Sequence, residues 1–348
     1  MARRIADRSD QFQARLDKLA PAQRGTLQLP DGVHGLSRTL ELPVGVSLQM
    51  TPGAALLALP GFEGEAIVQT QPYPHIEGQP KDGWQPRRIT GGMIDGNSQP
   101  LIGIRTLLDR EIDITDLVVR NCARKGLEIG QTGDCEINLR GLRVQCERGV
   151  MAEPDSIGIH YRKTTDSLVS QATIIGYAVG LRSDSSSSDF HQVHVWNYDR
   201  NIRLRTCFEC AGWNDSYSQC YADSPMNGDQ EGIGFHVIRP FQRFTDCRVY
   251  LNQWTTSDRV VGFRIEPSGT HGSYMGCHFA GGEQRRFKAC FAGSLQAATV
   301  LGCTYTRGAE AGAVTQIPSG GGGTTRMPPL QLSDANDQPR LVATRTPR

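Results

Sequence analysis

The chain has 348 residues, with 37 Lys and Arg against 36 Asp and Glu, for a net charge of +1. That balance shows no basic excess of the kind a nucleic-acid partner attracts. No apolar run is long enough to span a bilayer.

The first predicted element is a short amphipathic helix in SDQFQARLDKLA, where Phe12, Leu16 and Leu19 recur at helical spacing and Ser9 or Asp10 can cap the start. Residues 1–24 are therefore read as an arm with a capping helix. The segments Gly25-Thr-Leu-Gln-Leu-Pro-Asp-Gly and Ser37-Arg-Thr-Leu-Glu-Leu-Pro-Val-Gly-Val-Ser-Leu-Gln-Met alternate with period two and break at Pro-Asp-Gly and Pro-Val-Gly turns, which predicts strands.

From residue 103 a four-residue phrase recurs: a small residue, an apolar one, a charged one, then usually another apolar one. It reads Gly103-Ile104-Arg105, Gly126-Leu127-Glu128-Ile129, Gly158-Ile159-His160-Tyr161, Gly180-Leu181-Arg182, Asn201-Ile202-Arg203-Leu204, Gly234-Phe235-His236-Val237 and Gly262-Phe263-Arg264-Ile265. The starts lie 23, 32, 22, 21, 33 and 28 residues apart. Repeats of this length with strand-like alternation predict a solenoid, an all-β parallel β-helix over residues 25–306. Past residue 306 the pattern stops, and 307–348, rich in Gly, Pro and polar residues, reads as a flexible tail.

The ten cysteines do not read as a disulfide set. Cys122, Cys146, Cys220, Cys247, Cys277 and Cys303 each end the second strand of a repeat, as expected of an inward thiol stack. Cys207-Phe208-Glu209-Cys210 lies in a strand-rich repeat rather than at the helix start a redox motif needs.

Alternation puts the residue after each core position on the outer face. Arg105, Glu128, His160, Arg182, Arg203, His236 and Arg264 are then expected to stack into one exposed, mostly cationic stripe, joined two residues on by Arg162, Asp184, Arg205 and Glu266. Such a stripe is either a solvated face or a groove for an extended anionic chain, since arginine makes paired contacts to carboxylates. Lengthened turns at 150–156, 223–231 and 254–260 all precede the phrase strand, where they would wall the stripe. One of them carries Trp254, whose ring suits a sugar face.

The helix with its F-Q-x-x-L-D, followed by G-T-L-x-L-P-x-G, S-x-T-L-x-L-P-x-G-V-x-L and Ile89-Thr-Gly-Gly-Met-Ile-Asp-Gly-Asn97, resembles the start of the pectate-lyase-like superfamily, which includes polygalacturonase-related proteins and phage tailspikes. The resemblance runs over residues 9–305. It implies a right-handed parallel β-helix, a carbohydrate substrate and, from a common assembly in that superfamily, a homotrimer. The catalytic phrases of polygalacturonases and the aspartate set of pectate lyases are not present, so no catalytic residue carries over. Asp95 falls in a structural turn of the motif. The N-terminus lacks the apolar segment of a signal peptide, so a cytoplasmic or phage-associated protein is expected.

Glycosidic hydrolysis takes two carboxylates, about 5–5.5 Å apart for retention or about 6.5–9.5 Å for inversion. The candidate pair comes from Asp184, Asp229, Glu231 and Glu266. The alternative is a β-eliminating lyase or uronate epimerase using His160, His236, Lys163 and the arginines, and a further alternative is a glycan binder without catalysis. No calcium loop, zinc signature, phosphate loop or dinucleotide fingerprint appears, so no metal or cofactor is expected.

Overall fold

Short parallel strands, three to a coil, make up the protein in a computed structural model that describes residues 5–22, 24–72, 86–130, 134–147, 154–197, 204–225, 231–251, 259–281, 287–295 and 297–306, together with the backbone of 331–333 and 339–341. Contacts divide the chain into Met1–Tyr177 and Ala178–Arg348.

In the first unit the helix Ser9–Leu19 buries Phe12 and Leu16 and lies along the strand Gly32–Leu42. Its cap differs from the sequence expectation. Neither Ser9 nor Asp10 caps it. Arg8 is the N-cap residue and makes no side-chain cap; Asp7, one residue earlier, has its Oδ1 accept from the Ser9 amide (2.9 Å) and the Ser9 hydroxyl (2.7 Å). The Ser37 hydroxyl donates to the other Asp7 oxygen, and these bonds hold the carboxyl down at about 2.

Three parallel ladders follow. One links Gly25–Leu29, Val46–Met50, Arg87–Thr90, Arg110–Thr115, Asp134–Arg140 and Leu168–Ser170. A second, which carries the recurring phrase, links Gly32–Leu42, the end of Ala54–Thr70, Ile102–Arg105, Lys125–Ile129 and Ile157–Tyr161. The third links the beginning of Ala54–Thr70 with Met93–Gln99, Val118–Cys122, Arg143–Gln145 and Thr173–Ile175. Leu40, Val68, Ile104, Leu127 and Ile159 stack in register on the core side of the phrase ladder, each at most 1 % exposed.

The second unit repeats the plan. Its phrase ladder is Val179–Ser183, Thr206–Cys210, Gly232–Val237, Val260–Ile265 and Phe287–Gly293. Here one correction matters. Leu181 pairs with Phe208, and Phe208 with Phe235, so the rung between 180 and 234 is Cys207-Phe208-Glu209-Cys210 rather than the phrase at 201. The rungs then start at 180, 207, 234 and 262, at intervals of 27, 27 and 28 residues. A cysteine occupies the place of the glycine, which hid this rung from a search for the phrase.

Aromatic rings fill this core. Phe208, Phe235, Phe263 and Phe291 stack at 4.5, 4.7 and 5.3 Å, and Phe190, Tyr217, Phe244 and Tyr274 at 4.8, 5.0 and 5.2 Å. The phrase glycines leave room for the next coil: a Cβ on Gly262 would come within 2.3 Å of the Phe279 ring and 2.6 Å of the Cys290 carbonyl. All ten cysteines are free thiols, nine of them buried, and Cys220, Cys247, Cys277 and Cys303 follow one another coil by coil. Within the segment expected to be a tail, Gln331–Ser333 adds a parallel strand to Thr304–Thr306 and pairs antiparallel with Pro339–Leu341.

Candidate functional site

The outer positions of the phrase ladder read Glu41, Gln69, Arg105, Glu128 and His160 in the first unit. In the second they read Arg182, Glu209, His236, Arg264 and Ala292. These rows differ from the expected cationic, exposed stripe. Acids are interspersed among the bases, Glu209 taking the rung assigned to Arg203, although His236 and Arg264 remain adjacent. Arg105, Glu128, His160 and Glu209 are each 9 % exposed or less. Rungs about 4.8 Å apart bring long charged side chains within reach of the next rung, where opposite charges fold onto one another and shed water. Arg203, Asp229 and Trp254 lie outside the described residues.

In the first unit Glu128 is the centre. It accepts from Arg105 Nε at 3.0 Å and from the Lys125 ammonium, with Arg162 at 3.6 Å. Burial would raise this carboxyl, but Lys125, Arg105 and Arg162 together hold it below its ordinary value. Arg105 also reaches Glu65 at 2.7 Å, and that hydrogen bond lowers the Glu65 pKa. Lys125 Nζ lies 3.1 Å from His160 Nδ1. An ammonium donating to Nδ1 leaves the imidazole proton on Nε2, so both groups act as donors.

The second unit sorts the proposed acids into separate pairs. Asp184 takes Arg182 in a two-pronged contact, Oδ2 from Nε at 2.8 Å and Oδ1 from an Nη at 3.0 Å, which raises the arginine pKa. Arg182 and Arg205 also reach Glu209, at 3.3 and 3.7 Å. Glu231 holds the guanidinium of Arg264 and lies 3.1 Å from Lys288 Nζ. Glu266 Oε1 lies 2.8 Å from His236 Nε2.

The candidates thus meet bases rather than one another. Asp184 follows the rung of Arg182 and Glu266 that of Arg264, three coils on, or roughly 14 Å at strand spacing. That is beyond either carboxylate spacing of glycoside hydrolysis, and Glu231 is occupied by two cations of its own. Asp95 is buried in the strand Met93–Gln99 rather than in the turn its motif implied, accepting from the Asn97 amide and from Arg120 Nε at 2.7 Å.

Sequence reasoning overlooked Glu209, Lys125, Glu65 and Lys288. Glu209 was within reach through the regular 27-residue interval. Lys125 and Lys288 lie outside the phrase, at or near the beginnings of the strands Lys125–Ile129 and Phe287–Gly293, and only three-dimensional pairing brings them to it. An acidic hollow of about 390 Å³ is lined by Glu111, Asp113, Glu136 and Asp166 with Arg88, Asn138 and Pro86. It belongs to the ladder beginning at Gly25–Leu29 and takes no part in the phrase row.

No family model and no curated protein matches the chain. Solved structures do. A surface adhesin of Streptococcus pneumoniae superposes with a TM-score of 0.60 at 11 % identity, covering 86 % of this chain and 87 % of that one. The A-module of a mannuronan C-5 epimerase from Azotobacter vinelandii gives 0.56 at 13 % identity, covering 96 % and 97 %. A polygalacturonase from Erwinia carotovora gives 0.55 at 10 % identity, covering 89 % and 93 %. At such identities the likeness speaks for architecture. In fold, this chain is a right-handed parallel β-helix, the architecture it shares with these structures.

Proposed function

We propose that the protein acts on an extended acidic carbohydrate laid along the phrase ladder of its second unit, abstracting a proton next to a uronate carboxylate. The observation that carries this reading is the 2.8 Å contact between His236 Nε2 and Glu266 Oε1. A carboxylate accepting the Nε2 proton fixes the tautomer and leaves the Nδ1 lone pair as a base, in the manner of an oriented imidazole. Arg264 stands on the next rung, and its Nε is buried without a hydrogen-bond partner among the described residues.

The chemistry then follows from charge. A cation against the uronate carboxylate acidifies the C5 proton. His236 takes that proton, the C5–H electrons form a C4=C5 double bond, and the C4–O bond breaks. Its electron pair goes to the leaving oxygen, which receives the proton back from the imidazolium. Glu266 stabilises the imidazolium meanwhile. Return of a proton to C5 from the opposite face, without loss of the C4 oxygen, gives epimerisation instead. Hydrolysis by two carboxylates has less support, because Asp184 and Glu231 are each paired with cations of their own and Glu266 is engaged by His236. The names of the fold neighbours, an epimerase for mannuronan and a polygalacturonase, agree with an acidic polysaccharide.

The test is incubation with oligogalacturonate and oligomannuronate, following ultraviolet absorbance of unsaturated uronates and the uronate composition by NMR. His236→Ala is expected to lower the rate roughly 10²- to 10⁴-fold, with Glu266→Gln lowering it less. Saturated reducing ends as the product, or full activity in His236→Ala, would sink the proposal.

A further inference from the structure

We propose that an exposed aromatic row, Trp213, Phe241 and His271, forms a rim on which pyranose rings of an extended glycan stack. The inference deepens the reading above and rests on its carbohydrate ligand, though not on the proton-transfer step.

The three residues sit in the turns that leave successive rungs of the second unit's phrase ladder, a few residues past Glu209, His236 and Arg264. Trp213 is 51 % exposed and Phe241 40 %. Their ring centres lie 5.0 Å apart at 60°, and those of Phe241 and His271 5.4 Å apart at 34°. Rings tilted in this way keep part of their faces open. Elsewhere in the unit the arrangement is different: His194 and Tyr221 stack at 4.5 Å and 8°, each covering the other.

Backbone conformation sets Phe241 apart. The same corner holds Ser187 (φ 53), Asn214 (φ 60), Phe241 (φ 64), His271 (φ 64) and Ala297 (φ 56). Left-handed corners favour glycine and asparagine, and a bulky ring there is an outlier. Phe241 thus occupies a disfavoured conformation while remaining 40 % exposed between Trp213 and His271. Neither core packing nor turn geometry accounts for that choice, whereas a ligand that covers the ring does.

The shape of the row indicates which ligand. It is one ring wide and bordered by polar groups: exposed Arg239 precedes Phe241 in its turn, Arg243 donates to Ser216 Oγ at 3.0 Å, and the Ser268 hydroxyl donates to the Ile238 carbonyl. A protein partner needs a broad contact, on the order of 1,000 Å² or more. A pyranose has a narrow apolar face edged by hydroxyls, which fits a single file of rings among hydrogen-bonding groups. The exposed guanidinium of Arg239 suits a sugar carboxylate.

The experiment titrates the full chain by calorimetry with oligogalacturonate, oligomannuronate and an uncharged cello-oligosaccharide. Trp213→Ala and Phe241→Gly are each expected to weaken binding roughly 3- to 10-fold. Phe241→Gly separates binding from folding. Glycine relieves the corner, so its melting temperature stays level or rises while affinity falls, and a merely structural phenylalanine would lose stability. Wild-type affinity in both variants overturns the rim, as does a wild-type protein that binds none of the three probes. Trp213-dependent binding of the cello-oligosaccharide alone supports the rim and sinks the acidic-ligand reading. Retained affinity in His236→Ala supports the rim whether or not a product forms.

Discussion

Asp215 is a carboxyl with no surface of its own and three donors around it. Ser183 Oγ donates at 2.7 Å, Ser185 Oγ at 3.2 Å and the Ser188 amide at 3.0 Å. Burial nevertheless dominates and pushes its pKa up to about 6, from 3.8. The folded protein therefore binds this proton more tightly than the unfolded chain. Its contribution to stability is fully present below about pH 3.8 and is lost as pH rises through about 6, an effect of about 3 kcal/mol. In Asp215→Asn that loss disappears. The stability of wild type minus variant, measured in urea at several pH values, falls between pH 4 and 6, and a difference that stays flat would show that Asp215 ionises normally. Asp7 and Glu128 work in the opposite direction, since both are held below their ordinary values, and the subtraction cancels them.

Among the elements, the phrase strands of the second unit have a spine of stacked rings. Phe235 lies between Phe208 and Phe263 at 4.5 and 4.7 Å and is fully buried. Phe235→Ala removes a ring that two neighbours share, and the expected loss is about 3–5 kcal/mol by denaturant midpoint. A loss below about 1 kcal/mol would mean that the coils close over the cavity. These rungs were legible in the sequence because a core residue and a phrase glycine repeat together. The rung at Cys207 was not, since its first residue broke the pattern and the similar phrase at 201 took its place. The helix was legible but its start was not: Arg8 precedes it without a side-chain cap, and Asp7 meets the Ser9 amide through a carboxylate that also holds Ser37, a partner 30 residues away. The candidate site was legible only in part. Alternation located the outer row, but burial and pairing depend on which rung follows which. That is why a stripe expected to be open and cationic is instead half-closed and balanced.

For the whole molecule, the sequence pointed to stacked thiols and the structure has ten free cysteines, nine of them buried. Burial raises the thiols of Cys122, Cys207, Cys210 and Cys290, the last to about 12, and so keeps them poor nucleophiles. Reducing agent is expected to leave the melting temperature unchanged. A thiol reagent should find at most Cys135 readily in the native protein and all ten cysteines in denaturant. Rapid native labelling of several thiols would contradict this packing.

The place of Glu209 in the phrase row also bears on assembly of the coils. In outline the coils of the second unit are nearly interchangeable: a small residue, a core apolar residue, an outer polar one. Shape alone does not tell one which neighbour to accept. Charge does. Glu209 between Arg182 and His236 marks that coil as the one belonging there. If the coil were skipped, Arg182 would lose Glu209, which it reaches at 3.3 Å, and would face His236 instead. The pairing therefore works as an address, since a skipped coil forfeits an ion pair that the correct one makes, in a fold whose repeats would otherwise be free to mistake one another.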